Sequence, residues 1–181
     1  MSARWRLYFP KVEIRFGVVA LLAFGAQLLA MFAPLGSDDL PRRILLVLSY
    51  LALFGFVALN LRRPGVLIMG AGLLLNFLPI IANGGLMPVS PQALADAGYE
   101  IPPDVSTGDW IPDSKDVLLE RDDARFYFLS DRLVWADLPK FRAFSIGDVV
   151  IFSGLLVVLL ELLLPRLERL HVNGAGESSR E

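Results

Sequence analysis

The stretch VLIMGAGLLLNFLPIIANGGLMPVS, residues 66–90, contains a long apolar run that stops abruptly at Asn-Gly-Gly. At a rise of about 1.5 Å per residue, a helix over residues 66–82 approaches the roughly 30 Å thickness of bilayer hydrocarbon. The two glycines permit the positive φ that ends a helix, and Met87-Pro88 favours extended backbone. The stretch therefore predicts a membrane-spanning helix followed by a structured turn.

Three other apolar runs have a similar length, and they cover residues 16–33, 44–61 and 146–164. The composition agrees with membrane spans, because 55% hydrophobic residues and a mean hydropathy of +0.55 exceed what a soluble domain of 181 residues needs. The runs are continuous rather than alternating, which favours helices over barrel strands. The first run is too long for a signal peptide and has no clear cleavage site. We therefore predict an all-α integral membrane protein with four transmembrane helices.

The orientation follows from basic residues near the spans, which lie on the side of both termini: Arg4, Arg6, Lys11, Arg15, Arg62, Arg63, Arg166 and Arg169. By the positive-inside rule this pattern places both termini in the cytoplasm. Arg42 and Arg43 lie on the opposite side and count against it, although Asp38 and Asp39 are beside them. On balance we expect a multi-pass protein of the bacterial cytoplasmic (inner) membrane.

The region between the third and fourth spans, residues 83–145, is the largest polar part of the chain, and we call it the cap. It carries eleven Asp or Glu against six Lys or Arg. Such an acidic surface disfavours binding of nucleic acid or of anionic lipid. Ser90-Pro91 and Gly98 predict the two ends of a short helix, while the rest is expected to be loop.

The predicted organisation has three parts. Residues 1–82 form the cytoplasmic N-terminus and helices 1–3, residues 83–145 form the acidic, loop-rich extracytoplasmic cap, and residues 146–181 form helix 4 with a polar cytoplasmic tail.

Polar residues within the spans are few, and each has a structural interpretation. Asn76 is expected to hydrogen bond between helices. Asp148 follows Ser145 by three residues, which is the spacing of a capping box. Glu161 precedes Pro165 and is expected to snorkel to the inner membrane interface. Three glycines predict close helix packing: Gly65, Gly70 and Gly72.

A binding pocket between the turn, the cap and the helix ends is compatible with this arrangement, since membrane bundles often bind ligands there. Its candidate residues are Asn76, Asn83, Gly84, Gly85, Met87, Pro88 and Asp148. The chain has no cysteine, the lone His171 lies in the tail, and no phosphate-binding loop is present. We therefore expect neither a metal site nor a cofactor.

The segments NFLPIIANGGLMPVS, FYFLSD and FSIGDVVIFSG resemble a family of bacterial four-span membrane proteins of uncharacterised activity. The shared marks are an Asn in the third span, an Asn-Gly-Gly-x-Met-Pro-Val turn, an Asp after a short apolar stretch, and Ser-Ile-Gly-Asp at the fourth span. In this chain they fall on Asn76, residues 83–89, Asp131 and residues 145–148. The resemblance supports the architecture and implies no activity.

A fainter resemblance is to lipoprotein signal peptidase, a four-span aspartyl protease with Asn-x-x-Asp-Arg in its third span and Phe-Asn-x-Ala-Asp at its fourth. Asp148 fits the second element. Asn76 fits the start of the first, but Pro79 and Ile80 occupy the positions of its Asp and Arg. That chemistry needs one ionised and one protonated carboxyl, so Asp131 would have to supply the second. We expect the carboxylate oxygens of Asp131 and Asp148 to lie more than about 6 Å apart, too far to share a proton directly.

The favoured hypothesis is a non-enzymatic accessory subunit or binding scaffold in a membrane complex, with no catalytic residues and with membrane lipids and other membrane-protein subunits as partners. The alternative is an aspartyl hydrolase related to lipoprotein signal peptidase that uses Asp131 and Asp148. A small transporter is disfavoured, because the spans contain too few ionisable residues to mark a path.

Overall fold

The computed structural model describes residues 14–35, 39–134 and 143–177, with side chains described as far as residue 163. The helices in this part of the chain are α1 (Gly17–Phe32), α2 (Leu40–Leu59), α3 (Pro64–Ala82), α4 (Pro91–Asp96) and α5 (Ile146–Glu177). Three segments among the described residues are long and apolar enough to cross a membrane: Leu40–Leu59, Pro64–Ala82 and Ile146–Leu163. These segments indicate a membrane protein. The first predicted span corresponds to α1, which at 16 residues is shorter than the other three.

Helices α3 and α5 pack antiparallel at very short range through glycines. A Cβ atom on Gly72 would lie 2.6 Å from the carbonyl oxygen of Gly147, and one on Gly65 would lie 2.6 Å from the side chain of Val158. Gly70 faces α2 instead, where a Cβ would lie 2.7 Å from the Val57 side chain. The predicted close packing at these three glycines is confirmed, since any side chain there would force the helices apart.

The Asn-Gly-Gly turn ends α3 as the sequence predicts. Gly84 and Gly85 have φ values of 79° and 98°, a conformation that other residues rarely adopt. The amide of Gly85 donates to the carbonyl of Ile80 at 2.8 Å, and the Asn83 side chain donates to the carbonyl of Pro79 at 2.7 Å. The glycines and Asn83 therefore satisfy the carbonyl groups that the last helical turn leaves free.

After the turn, the chain returns to the helix bundle. Strand β1 (Met87–Val89) pairs in parallel with β2 (Asp116–Leu118), with Met87 opposite Asp116. Leu86 and Met87 are fully buried and join the core of the helices. The cap therefore packs into the bundle. The sequence predicts extended backbone at Met87-Pro88 but not its pairing with β2.

The remainder of the described cap mixes short elements with turns. Helix α4 starts where predicted, because the Ser90 hydroxyl accepts from the amide of Ala93 at 3.2 Å, and Gly98 follows with φ of 66°. A 3₁₀ turn covers Tyr127–Leu129, and β3 (Leu133–Val134) pairs antiparallel with β4 (Ala143–Phe144). The cap thus contains two small sheets that the loop-rich prediction missed.

Helix α5 continues to Glu177, beyond its apolar part Ile146–Leu163, which agrees with the predicted span over residues 146–164. The sequence did not predict that the helix continues past the span. A proline removes one backbone hydrogen bond without necessarily ending a helix, and the Leu, Arg and Glu residues after Pro165 are good helix formers. Arg4, Arg6 and Lys11, which carry part of the orientation argument, lie outside the described residues, and the side chains of Arg166 and Arg169 also do.

Arg42 and Arg43 have structural partners, which explains basic residues at this end of α2. The guanidinium of Arg42 is buried, donates to the carbonyls of Ala30 and Ala33 near the end of α1, and stacks 3.7 Å from the ring centre of Trp110. Arg43 donates to the carbonyl of Gly84 at 2.9 Å. The carboxyl ends of helices and the faces of aromatic rings attract cations, so both arginines join the helices to the cap.

Candidate functional site

A cluster of buried and half-buried polar side chains lies where the cap meets the helix bundle, and we call it the Lys115 cluster. The Lys115 ammonium lies 3.1 Å from an oxygen of Asp131 and 3.5 Å from an oxygen of Asp148. Asp131 is only 2% exposed. Its other members are Asn76, Ser145 and Asp116. Because Lys115 immediately precedes β2 and Asp148 belongs to α5, the cluster links cap and membrane helices.

Asp148 and Ser145 form the predicted capping box at the start of α5. The amide of Asp148 donates to the Ser145 hydroxyl at 3.0 Å, and the amide of Ser145 donates to the Asp148 carboxylate at 3.0 Å. These reciprocal bonds satisfy two amides at the helix start, where a negative charge is also favourable. The structural interpretation of Asp148 is confirmed.

Asn76 connects α3 to this capping box. Its amide nitrogen donates to Asp148 at 2.7 Å, while its oxygen accepts from the Ser145 hydroxyl at 2.6 Å. Gly147 makes this possible, since a Cβ at that position would lie 2.0 Å from the Asn76 oxygen. The predicted interhelical role of Asn76 is confirmed. The first turn of α5 therefore lies beside Asn76, within α3, and not beside the last residue of α3.

The charges in the cap part of the cluster are unequal, because one ammonium faces several carboxyl groups. Burial by itself lowers the pKa of Lys115, but Asp131 and Asp148 more than offset this, so the pKa lies well above its usual value. Burial raises the pKa of Asp131 well above its usual range, and Asp116 and Asp148 add to this increase while Lys115 opposes it. The attraction of Lys115 favours an ionised Asp131, but burial and surplus negative charge prevail.

Asp116 is the third carboxyl group near Lys115. Burial raises its pKa to about 6, although Lys115 and a hydrogen bond with Asp131 act in the opposite direction. A hydrogen bond between two carboxyl groups requires a proton on one of them. The cap carboxyl groups therefore retain protons at a higher pH than exposed aspartates do.

The structure separates the predicted binding residues into two groups. Asn76 and Asp148 belong to the Lys115 cluster, whereas Asn83, Gly84 and Gly85 lie at the end of α3. There, the Asn83 side chain bonds to both the amide and the carbonyl of Arg125, at 2.9 and 2.8 Å. Met87 and Pro88 are fully buried in β1, where their side chains serve packing.

Asp131 and Asp148 contact the same lysine, which the sequence did not predict. The Lys115 ammonium lies 3.1 Å from an oxygen of Asp131 and 3.5 Å from an oxygen of Asp148. The chain path explains the shared contact: β2 brings Lys115 to the bundle, and Lys115 attracts Asp131 from a later part of the cap. The expectation that the two carboxylates are more than about 6 Å apart, too far to share a proton directly, stays a prediction.

Glu161 has a partner that the sequence did not predict. One of its carboxylate oxygens accepts from the amide of Gly65 at 3.2 Å, which places Glu161 against the first turn of α3. That turn has free amides, and a carboxylate is favourable beside them. The close approach of α3 and α5 at Gly65 puts this acceptor within reach of the carboxylate.

Lys115 and Asp116 are the cluster members that sequence reasoning missed, because both fell in a segment predicted as loop. The run KDVLL, residues 115–119, offered a signal, since a short apolar stretch after polar residues is compatible with a buried strand. Its partner could not be inferred, as the pairing of β1 with β2 joins residues far apart in sequence.

The polar groups of the Lys115 cluster are largely bonded to one another. The polar atoms of Asn76, Ser145 and Asp148 are bonded to one another, and the ammonium of Lys115 contacts both Asp131 and Asp148. Among the residues that the structure describes, no group of three or more His, Cys, Asp or Glu is placed to hold a metal ion.

Comparisons with known proteins give a family but no function. No curated protein and no solved structure matches the chain. The model of a family of unknown function, DUF5317, matches residues 11–160, which include α1 to α4, the whole cap and most of the apolar part of α5. The chain therefore belongs to the DUF5317 family.

Proposed function

We propose that this protein is a non-enzymatic accessory subunit or binding scaffold of a membrane complex. One observation carries the proposal: the acidic and polar groups of the Lys115 cluster bind one another, and the side chains of Lys115 and Asp148 are only 19% and 23% exposed. A catalytic acid or base must reach its substrate, directly or through one water. Asp131 and Asn76, at 2% and 1% exposure, do not have that access.

The same cluster gives the cap a fixed position on the helices. It joins α3 through Asn76, α5 through Asp148, and two separate cap segments through Lys115 and Asp131. Breaking a buried ion pair leaves an uncompensated charge and is costly, so the network favours one arrangement. A rigid cap with an acidic composition is a suitable platform for a protein partner.

The remaining architecture is part of the proposal. We propose that α1 completes a four-helix bundle, that the cap is extracytoplasmic, and that both termini are cytoplasmic in a bacterial inner membrane. The 16 residues of α1 extend about 24 Å, so its flanking residues must complete the crossing. The bonding of Arg42 to the C-terminal end of α1 supports the proposed orientation, because a buried arginine with structural partners no longer counts against it.

Reporter fusions test the topology. A reporter fused after Gly98 is expected to be external, and reporters fused after Arg63 or at the C-terminus are expected to be cytoplasmic. A cytoplasmic reporter after Gly98 would contradict the orientation.

The accessory role is tested by purifying the tagged protein in mild detergent from cells that naturally express it. We expect a membrane-protein partner at fixed stoichiometry, in addition to lipid. The matched variant is Asp131→Asn, which removes one acid of the cluster while retaining its size; the same partner should co-purify. Repeated isolation of the chain with lipid alone would contradict an accessory role.

The hydrolase remains the second proposal, since Asp131 and Asp148 reach one lysine and burial raises the pKa of Asp131, as a general acid requires. The intervening ammonium is the observation against it. If the two acids act as a catalytic pair, Asn at either position should abolish activity without unfolding the protein, and the double variant should be no worse. A bound lipopeptide that accumulates in either variant would favour this proposal.

A further inference from the structure

The 3₁₀ turn Tyr127–Leu129 presents two large aromatic side chains at the surface. Phe126 is 46% exposed and Phe128 is 57% exposed, and their rings meet edge to face with centres 6.4 Å apart. Leu129, by contrast, is buried and anchors the turn. The proposed scaffold role does not use these phenylalanines, and the Lys115 cluster does not contain them.

The turn is held at the end of a membrane helix. Asn83, the residue that ends α3, binds the amide and carbonyl of Arg125, and the 3₁₀ turn contacts α3. The 19 residues of α3 extend about 28 Å, which is close to the thickness of the hydrocarbon core. The last turn of α3 therefore lies near the boundary between hydrocarbon and headgroups, and Phe126 and Phe128 lie near the same depth.

The lipid-facing surface of α3 reaches this depth as well. Ile81, in the last turn of the helix, is 51% exposed although it is fully apolar. An exposed isoleucine on a membrane helix is explained by contact with acyl chains. Phe126 and Phe128 extend apolar surface from that helix end into the layer where aromatic rings are favoured in membranes.

The backbone at Phe126 is strained, and neighbouring hydrogen bonds hold it in place. Its φ and ψ are 55° and 38°, which is left-handed conformation at a bulky residue. The bonds from Asn83 to Arg125 fix the residue immediately before it. Such strain is found where surrounding contacts over-determine a conformation, often at binding surfaces.

Charged groups around the turn are arranged for a headgroup layer. The Arg121 guanidinium lies 5.3 Å from the Tyr127 ring, Arg125 is exposed, and Arg132 donates to the carbonyl of Phe128 at 3.2 Å. Glu120, Asp122 and Asp123 are also exposed, so the segment is mixed rather than simply basic. Arginines beside aromatic rings suit lipid phosphates, which guanidinium groups bind well.

We propose that Phe126 and Phe128 form an interfacial anchor that inserts into the phospholipid headgroup layer on the side of the membrane that the cap faces. The anchor binds phospholipid through the two rings and through the neighbouring arginines. It holds the segment at residues 120–132 against the membrane, independently of whether the protein has a protein partner.

The test uses the full chain, which contains no cysteine, so that one introduced cysteine can carry a nitroxide label. Phe128→Cys is labelled and reconstituted in vesicles of phosphatidylcholine with phosphatidylglycerol. Collision with apolar oxygen and with a water-soluble nickel chelate is then measured by electron paramagnetic resonance. Ile81→Cys is the lipid-facing reference, and Thr107→Cys, at an exposed cap position, is the water-facing reference.

The expected result is that the Phe128→Cys label collides more with oxygen than with the nickel chelate, at a depth between the two references. A label as accessible to the chelate as the Thr107→Cys label would overturn the proposal. A label shielded from both reagents would also overturn it, because the rings would then contact protein, such as a second copy of the chain. Phe126→Cys replaces Phe128→Cys if circular dichroism shows that the latter does not fold.

Discussion

Replacement of Lys115 by methionine tests whether the ion pairs of the Lys115 cluster stabilise the fold. The change keeps a long side chain and removes the ammonium that lies 3.1 Å from Asp131 and 3.5 Å from Asp148. Two acids are then left without their shared cation. Removing one partner of a buried ion pair typically costs about 3–5 kcal/mol, and we expect that loss at pH 8.

The loss should depend on pH in a specified direction. Without the ammonium, the pKa of Asp131 rises further above its unfolded value of about 4, because burial is no longer opposed by Lys115. A group with a raised folded pKa contributes its full stability below its unfolded pKa and loses that stability as pH rises through its folded pKa. Lys115→Met should therefore be less destabilised at pH 5 than at pH 8.

The assay is equilibrium unfolding in mixed detergent micelles, followed by tryptophan fluorescence and circular dichroism. Trp110 is a suitable reporter because Arg42 stacks on it where the cap meets the helices. Arg121→Met is the matched control, since Arg121 is exposed and its contact with Tyr127 is worth less than about 1 kcal/mol. A Lys115→Met protein as stable as the control at pH 8, or more destabilised at pH 5 than at pH 8, would refute the reasoning.

Three further changes test other parts of the structure. Gly72→Ala should destabilise by about 1–3 kcal/mol, the usual cost of overpacking, because its Cβ would meet Gly147. Gly55→Ala, where nothing lies within 4 Å, should be neutral or stabilising, and equal thermal midpoints of the two variants would contradict this. Asp116→Asn should gain stability relative to the wild-type protein as pH rises from about 4 to 6. Burial raises the pKa of the wild-type carboxyl group to about 6, so ionisation of this group destabilises the wild-type fold in that pH window, whereas Asn does not ionise. A pH-independent difference in unfolding free energy between the two proteins would argue against this. Asp148→Asn should cost about 1.5–3 kcal/mol of stability rather than the roughly 0.5–1 kcal/mol of a helix cap alone, since the carboxylate charge also binds Lys115. Because Asp131 binds the same lysine, the effects of Asp148→Asn and Asp131→Asn should be coupled, and strict additivity in a double-mutant cycle would contradict this.

The local features of this fold could be predicted from sequence because short-range rules determine them. The capping box of Ser145 and Asp148, the glycine turn after Asn83 and the Ser90 cap of α4 each depend on residues within a few positions of one another. Apolar length identified the three long spans for the same reason. None of these inferences required knowledge of which segments meet in space.

The centre of the candidate site could not be predicted in this way. Lys115 reaches Asp148 only because β2 pairs with β1, and no local pattern specifies that parallel pairing across the cap. Arg42 weakened the orientation argument for a related reason: a basic residue counted as a topology signal is buried between the end of α1 and Trp110. Charge in a sequence does not reveal whether a side chain faces water or protein.

The central claim, that the Lys115 cluster has a structural role in a membrane scaffold, is tested most directly by native mass spectrometry of the complex purified with wild-type protein and with Asp131→Asn. If the cluster is structural, both should yield the same partner at the same stoichiometry, because Asn retains the size of a side chain that is only 2% exposed and Lys115 keeps Asp148 as its ionic partner. A bound lipopeptide that appears only with Asp131→Asn, in place of a stoichiometric partner, would contradict the account and identify Asp131 as part of a catalytic pair.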